Sequence, residues 1–132
     1  MTREAVSRWL EAYAAAWRER DPDGAARLFT EDAVYRSSPF REAHVGHDGV
    51  RAYWTRATRE QRNLDLRLGT PIVEGDRVAV EWWAIIGSVS SPAGTLPGSL
   101  YLIFAKDGRC RELREYWHWK EGRVPPPDGW GL

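Results

Sequence analysis

The sequence predicts an α+β domain, on two observations. Apolar residues recur at three- and four-residue steps through the first half of the chain, then switch near residue 64 to strict alternation. The alternating runs are separated by short turn clusters such as Glu74-Gly75-Asp76 and Lys106-Asp107-Gly108. Helices followed by hairpin-linked strands pack as helices on one side of an antiparallel sheet.

Each element follows from its pattern. Val6, Trp9, Leu10, Tyr13 and Trp17 make one apolar stripe and predict a helix over 3–20. Asp21-Pro22-Asp23-Gly24 breaks it, with Asp21 as a cap and Pro22 in the first turn of a second short helix. That helix would bury Ala25, Ala26, Leu28 and Phe29. Residues 33–36 read as a short strand and 37–46 as a loop. A third helix runs from Gly49 to about Arg59, started by Asp48 or His47, with Val50, Tyr53, Trp54 and Ala57 on one face. Leu64, Leu66 and Leu68 alternate with charges. Val78, Val80, Trp82, Ala84 and Ile86 form one face of a long strand. A serine-, glycine- and proline-rich loop is expected over 88–98. Leu100, Leu102 and Phe104 alternate after it, and a last strand runs from Arg109 to about Trp119. The segment 120–132 has no period and three prolines, so it reads as an extended cover or a loose end with Trp130 as a possible anchor.

Composition narrows the function classes. The 132 residues suit one domain spanning 1–132, with 120–132 as its tail. Hydrophobic residues make up 42%, enough for a real core. Nineteen basic and 19 acidic side chains cancel and mix along the chain, so neither nucleic acid nor an anionic membrane is an expected partner. The opening MTREAVSRWLEAYAAAW carries Arg3, Glu4, Arg8 and Glu11 and is expected to be neither a signal peptide nor a membrane span. A lone cysteine, Cys110, fits a reducing, cytoplasmic setting and the protein interior. Eight tryptophans are many for this length, and indoles favour cores, interfaces and pockets for flat apolar ligands.

Several stretches carry a family resemblance. AWRERDPDGAARLFTEDAVYRSSPF resembles the opening of NTF2-like domains, and VGHDGVRAYW resembles their third helix. RVAVEWW and LPGSLYLIFAKDGRCRELREYW resemble their strands, so the match spans about residues 5–119. The SnoaL-like branch is the nearest in character. The resemblance implies a sheet curled round the helices into a cone, a pocket at its open end, and frequent dimers through the outer sheet face. The superfamily holds isomerases, epoxide hydrolases, polyketide cyclases and binding proteins, so the site must be argued separately.

Two catalytic patterns of the superfamily can be laid on the chain. The ketosteroid isomerase pattern puts its tyrosine on Tyr13, its base on Ser37 and its oxyanion-holding aspartate on Leu100. A serine is no base at neutral pH and a leucine donates nothing, which argues against that activity. The limonene epoxide hydrolase pattern resembles Tyr35-Arg36-Ser37-Ser38-Pro39 and Leu113-Arg114-Glu115-Tyr116. It places one carboxylate on Glu115, while its arginine and second aspartate fall near Trp82 and Ala84.

Strand parity singles out the same acid. Leu113, Glu115, Trp117 and Trp119 share a face of the last strand, so Glu115 would stand between apolar neighbours, where desolvation raises a carboxyl pKa. Two roles are open to it, proton shuttle or structural partner of an arginine or a tyrosine. Glu115, Tyr35 and Tyr13 are therefore the candidate catalytic residues. Ser37, Trp54, Trp82, Leu100, Leu102, Leu113 and Trp117 are the candidate ligand-binding wall. The histidines His44, His47 and His118 lack companions at ligand spacing, so no metal is expected, and no cofactor motif appears. The expected ligand is a small apolar molecule. Trp83 and Ile85, on the outer sheet face with Glu81, Glu112, Arg114 and Tyr116, predict a homodimer through that face, unless the tail and Trp130 cover it.

Overall fold

A computed structural model describes residues 1–132. Helix α1 spans Arg3–Glu19 and starts where the Thr2 hydroxyl accepts the Ala5 N–H at 3.0 Å. It buries Val6, Trp9, Leu10, Tyr13, Ala14, Ala16 and Trp17, the predicted stripe. It ends at Arg20, which takes the left-handed conformation at φ 52° and returns its N–H to the last turn. Helix α2, Pro22–Ala26, opens on Asp21, whose carboxylate accepts the Gly24 N–H.

Strand β1, Phe29–Arg36, and the two-residue β2, His44–Val45, precede helix α3, Gly46–Thr58. Then follow β3 (Gln61–Leu68), β4 (Ile72–Glu74), β5 (Arg77–Ser88), β6 (Gly94–Phe104), β7 (Cys110–Trp117) and β8 (Lys120–Glu121). The strands form one eight-stranded sheet in the order β2-β1-β7-β6-β5-β3, with β4 on β5 and β8 on β6. Every pairing is antiparallel except β1 with β7. The sheet curves over the three helices, and the core lies between them: Val78, Val80, Trp82, Ala84, Leu100, Leu102 and Leu113 from the strands meet the α1 stripe and Val50 of α3.

Three segments depart from the sequence reading for a tertiary reason. Phe29 opens β1 instead of closing α2, because the Cys110 N–H bonds to the Leu28 carbonyl and draws this stretch to β7. Helix α3 begins at Gly46, without a side-chain cap, and Asp48 pairs with Arg51 instead. The expected loop 88–98 shrinks to 89–93, since the β5 ladder continues through Ile86↔Gly94 to Trp82↔Gly98. Pro97 is tolerated because β7 has already ended opposite Gly98. Gly98 itself has a packing reason: a Cβ there would collide with the Trp82 indole.

The tail is a cover. β8 pairs with β6 through Gly94↔Glu121 and Thr95↔Lys120. The Trp83 indole donates to the Val124 carbonyl at 2.8 Å, and the Trp130 ring stands edge-on to it at 5.9 Å. The outer face around Trp83 is thus occupied by the chain's own C-terminal segment, the alternative to a partner subunit at that spot. Tyr116 remains 48% exposed beyond it, and Arg114 lies 5.2 Å over the Tyr101 ring.

Candidate functional site

Glu115 lies on β7 opposite Leu100 of β6, with its neighbour Leu113 opposite Leu102. All three leucines are fully buried. The alternation of β7 therefore turns the Glu115 side chain onto the inner face, and the residue is 6% exposed. Three elements close over it. Helix α1 brings Tyr13 and Trp17, β1 brings Tyr35, and α3 brings Tyr53, Trp54, Ala57 and Thr58. With Gln61 at the start of β3 they line a cavity of about 40 Å³.

Polar groups in the cavity are few. The Tyr13 and Tyr35 hydroxyls lie 3.3 Å apart, a weak mutual hydrogen bond that leaves donor capacity over. The Trp17 indole N–H donates to Gln61 Oε1 at 2.7 Å, and Gln61 Nε2 donates to the Ala57 carbonyl at 3.0 Å. The wholly sealed polar side-chain atoms without a partner are the indole nitrogens of Trp54 and Trp82. Glu115 is not among them, because its carboxyl borders the cavity.

Electrostatics follow from burial. Desolvation alone raises the Glu115 carboxyl from its ordinary 4.5 to about 8. No cation or hydrogen-bond donor offsets that burial, so at neutral pH the group is mostly a neutral acid. Burial, then the Glu115 charge, holds the Tyr13 hydroxyl well above the usual phenol range. Tyr35 is held up by burial, then by Tyr13 and Glu115, and Tyr53 is also raised by burial first. The site therefore offers protonated phenols beside a carboxyl that can give or take one proton near neutrality.

The structure gathers some of the sequence candidates and separates others. Glu115, Tyr13, Tyr35 and Trp54 line one cavity. Leu100, Leu102, Leu113 and Trp82 lie in the core behind it, with Trp82 edge-on to Trp17 at 5.3 Å. Ser37 is buried but outside the cavity lining, its Oγ 3.2 Å from His44 Nε2. Trp117 departs from its expected place beside Glu115. At the end of β7 its indole turns to donate to the Ser37 carbonyl at 2.8 Å, and it is 39% exposed. His44 stacks on Tyr53 at 4.4 Å, and burial lowers its pKa. His47 Nε2 lies 2.8 Å from the Phe29 carbonyl.

Sequence reasoning missed Trp17, Tyr53, Ala57, Thr58 and Gln61 as cavity residues. Helical spacing had put Tyr53 and Ala57 on the apolar face of α3, a signal that could have been used. Nothing in the pattern marks Thr58 or Gln61, which reach the site only because α3 and β3 meet there.

Three helices with a curved sheet closed over them make the NTF2-like fold. The SnoaL-like domain model matches residues 10–120, and the chain belongs to that family. No functionally curated protein matches it in sequence. Solved structures share the fold at low identity. The epoxide hydrolase/cyclase-like enzyme SalBIII, of pyran-ring formation in salinomycin, is 17% identical, covers 88% of this chain and 95% of its own, and has a TM-score of 0.76. A Catenulispora acidiphila protein with a ketosteroid isomerase-like fold, solved with trimethylamine, is 19% identical over 82% of this chain and 83% of its own, at 0.73. A computationally designed 17-OHP binder is 17% identical over 88% and 96%, at 0.73.

Proposed function

We propose that residues 1–132 act as one SnoaL-like pocket domain that performs cofactor-free acid–base chemistry on a small, mostly apolar molecule. Glu115 moves the proton, and Tyr13 with Tyr35 holds the oxygen of the ligand. Isomerisation, cyclisation and hydration are the reaction types such a set can serve. The observation that carries this reading is the Glu115 carboxyl bordering an aromatic cavity with no ion-pair or hydrogen-bond partner. A structural carboxyl at that depth would be expected to have one. The direct test is a carbon-13 titration of the carboxyl: a midpoint near 8 supports the reading, and one near 4.5 removes its chemistry. Glu115→Gln should then abolish turnover while the domain stays folded.

A second reading, a non-catalytic protein–protein module with a filled interior, is favoured by the size of the cavity. Its roughly 40 Å³ holds a water or two and falls far short of typical ligand sites. In that case Glu115→Gln leaves partner binding unchanged and there is no turnover to lose.

The homodimer is part of the proposal too. It would use the outer-face surface beside the tail, where Tyr116 and the Tyr101–Arg114 pair are presented. Sedimentation of wild type and Tyr116→Glu tests it, with a monomeric wild type as the refuting result. No helix is long and apolar enough to cross a membrane. The lone free cysteine, Cys110, is what supports the cytoplasmic placement we propose.

A further inference from the structure

The inner cavity has a neighbour that the Glu115 chemistry does not use. Beyond Gln61 lies an outer chamber of about 430 Å³, lined by Ile86, Leu96, Pro92, Trp119, Glu121 and the Ser88–Ser91 turn. Gln61 borders both spaces. We propose that the outer chamber receives the ring body of a flat, neutral, apolar molecule carrying one hydroxyl or carbonyl oxygen, and that Gln61 is the door through which that oxygen reaches Glu115. The inner end rests on the acid–base reading above; the chamber and the door do not.

Four observations support this occupant. The chamber's volume lies within the range of small-molecule sites, which the inner cavity does not reach. Its wall offers a stacking surface: the Trp119 indole is 59% exposed and packs so closely over Gly94 that a Cβ there would collide with it. An anion would find no partner within the two spaces: their titratable groups are Glu115, Tyr13, Tyr35, Tyr53 and Glu121, and the arginines near Gln61, Arg18, Arg20 and Arg62, line a separate cleft. The inner groups are chiefly donors, which suits one acceptor oxygen.

The door is built to move. The Gln61 backbone is fixed in the sheet opposite Ser88, so its side chain can swing without disturbing the fold. Only two side-chain hydrogen bonds hold it shut, from the Trp17 indole and to the Ala57 carbonyl. Rotation joins the two spaces and frees the Trp17 N–H. That indole is therefore a reporter for the door, as the Trp119 indole is for the chamber.

The test titrates β-naphthol, two fused rings with one hydroxyl, into the full chain and follows the indole N–H resonances with the Glu115 carboxyl. All three signals should shift along one binding curve. Leu96→Asp, or Ser91→Trp as a filling variant on the exposed turn, should weaken that curve about tenfold. Gln61→Ala should tighten it and erase the Trp17 response to naphthol. An unmoved Trp119, or filled variants that bind like wild type, overturns the chamber. A Trp119 shift with Trp17 and Glu115 silent overturns the door. A Glu115 midpoint near 4.5 with Trp17 and Trp119 both responding supports chamber and door and sinks the acid–base reading instead.

Discussion

The two faces of the sheet are both rich in aromatic rings, yet they treat polar groups in opposite ways. On the outer face the Trp83 N–H finds the Val124 carbonyl, and the Thr95 hydroxyl bonds to the Gly122 carbonyl at 2.6 Å. Those indole and hydroxyl groups are matched, and the tail is tied down by them. On the inner face Glu115 has no partner and two tyrosine hydroxyls have only each other, at 3.3 Å. A buried polar group without a partner costs stability. The outer contacts therefore hold the fold, while the inner arrangement stores a cost that ligand chemistry would justify.

That contrast is broken most directly by pH. The folded-state pKa of Glu115 lies above its unfolded value, so the folded chain binds the proton more tightly. Stability is full below about 4.5 and falls as pH rises through about 8. The loss should approach roughly 5 kcal/mol for a shift of this size. Urea unfolding of wild type should show the decline and Glu115→Gln should flatten it; equal slopes would mean that the acid is paired or wet.

The outer face should respond to truncation and not to pH. Trp83→Ala should cost roughly 2–3 kcal/mol, less than a fully buried tryptophan, through lost packing against Trp130 and the lost bond to Val124. Its denaturant midpoint should drop equally on both sides of neutrality. Trp130→Ala should cost about 1 kcal/mol by the same measurement. A Trp130 variant as stable as wild type would show the tail to be loose in solution.

Within the inner face, Tyr35→Phe removes one hydroxyl from a long, weak bond. A change of about 1 kcal/mol or less in unfolding free energy is expected. Its sharper effect is on Tyr13, which loses its hydrogen-bond partner, and the Tyr13 ring signals should report it. The smallest effect belongs to the surface. Arg51→Ala breaks exposed pairs with Asp23 and Asp48 and should move thermal stability by no more than about 0.5 kcal/mol.

Much of the fold was legible because it is periodic. The stripe from Val6 to Trp17 and the alternations through β5, β6 and β7 carry their buried faces in the letters themselves. Glu115 was legible for the same reason, since a two-residue period sets its face from Leu113 alone. Trp117 was not, because at a strand end parity yields to the nearest free acceptor, here the Ser37 carbonyl.

The linear pattern also marked Tyr13 and Tyr35 but could not bring their hydroxyls together, because one rides on α1 and the other on β1. Gln61 shows the limit most clearly. It is a polar residue at a helix–strand junction with no apolar period to mark it, and its importance comes from contacts with Trp17 and Ala57. Local periodicity decides which face a side chain takes. Only packing of distant segments decides what it meets there, how much room remains, and whether a buried acid finds a partner.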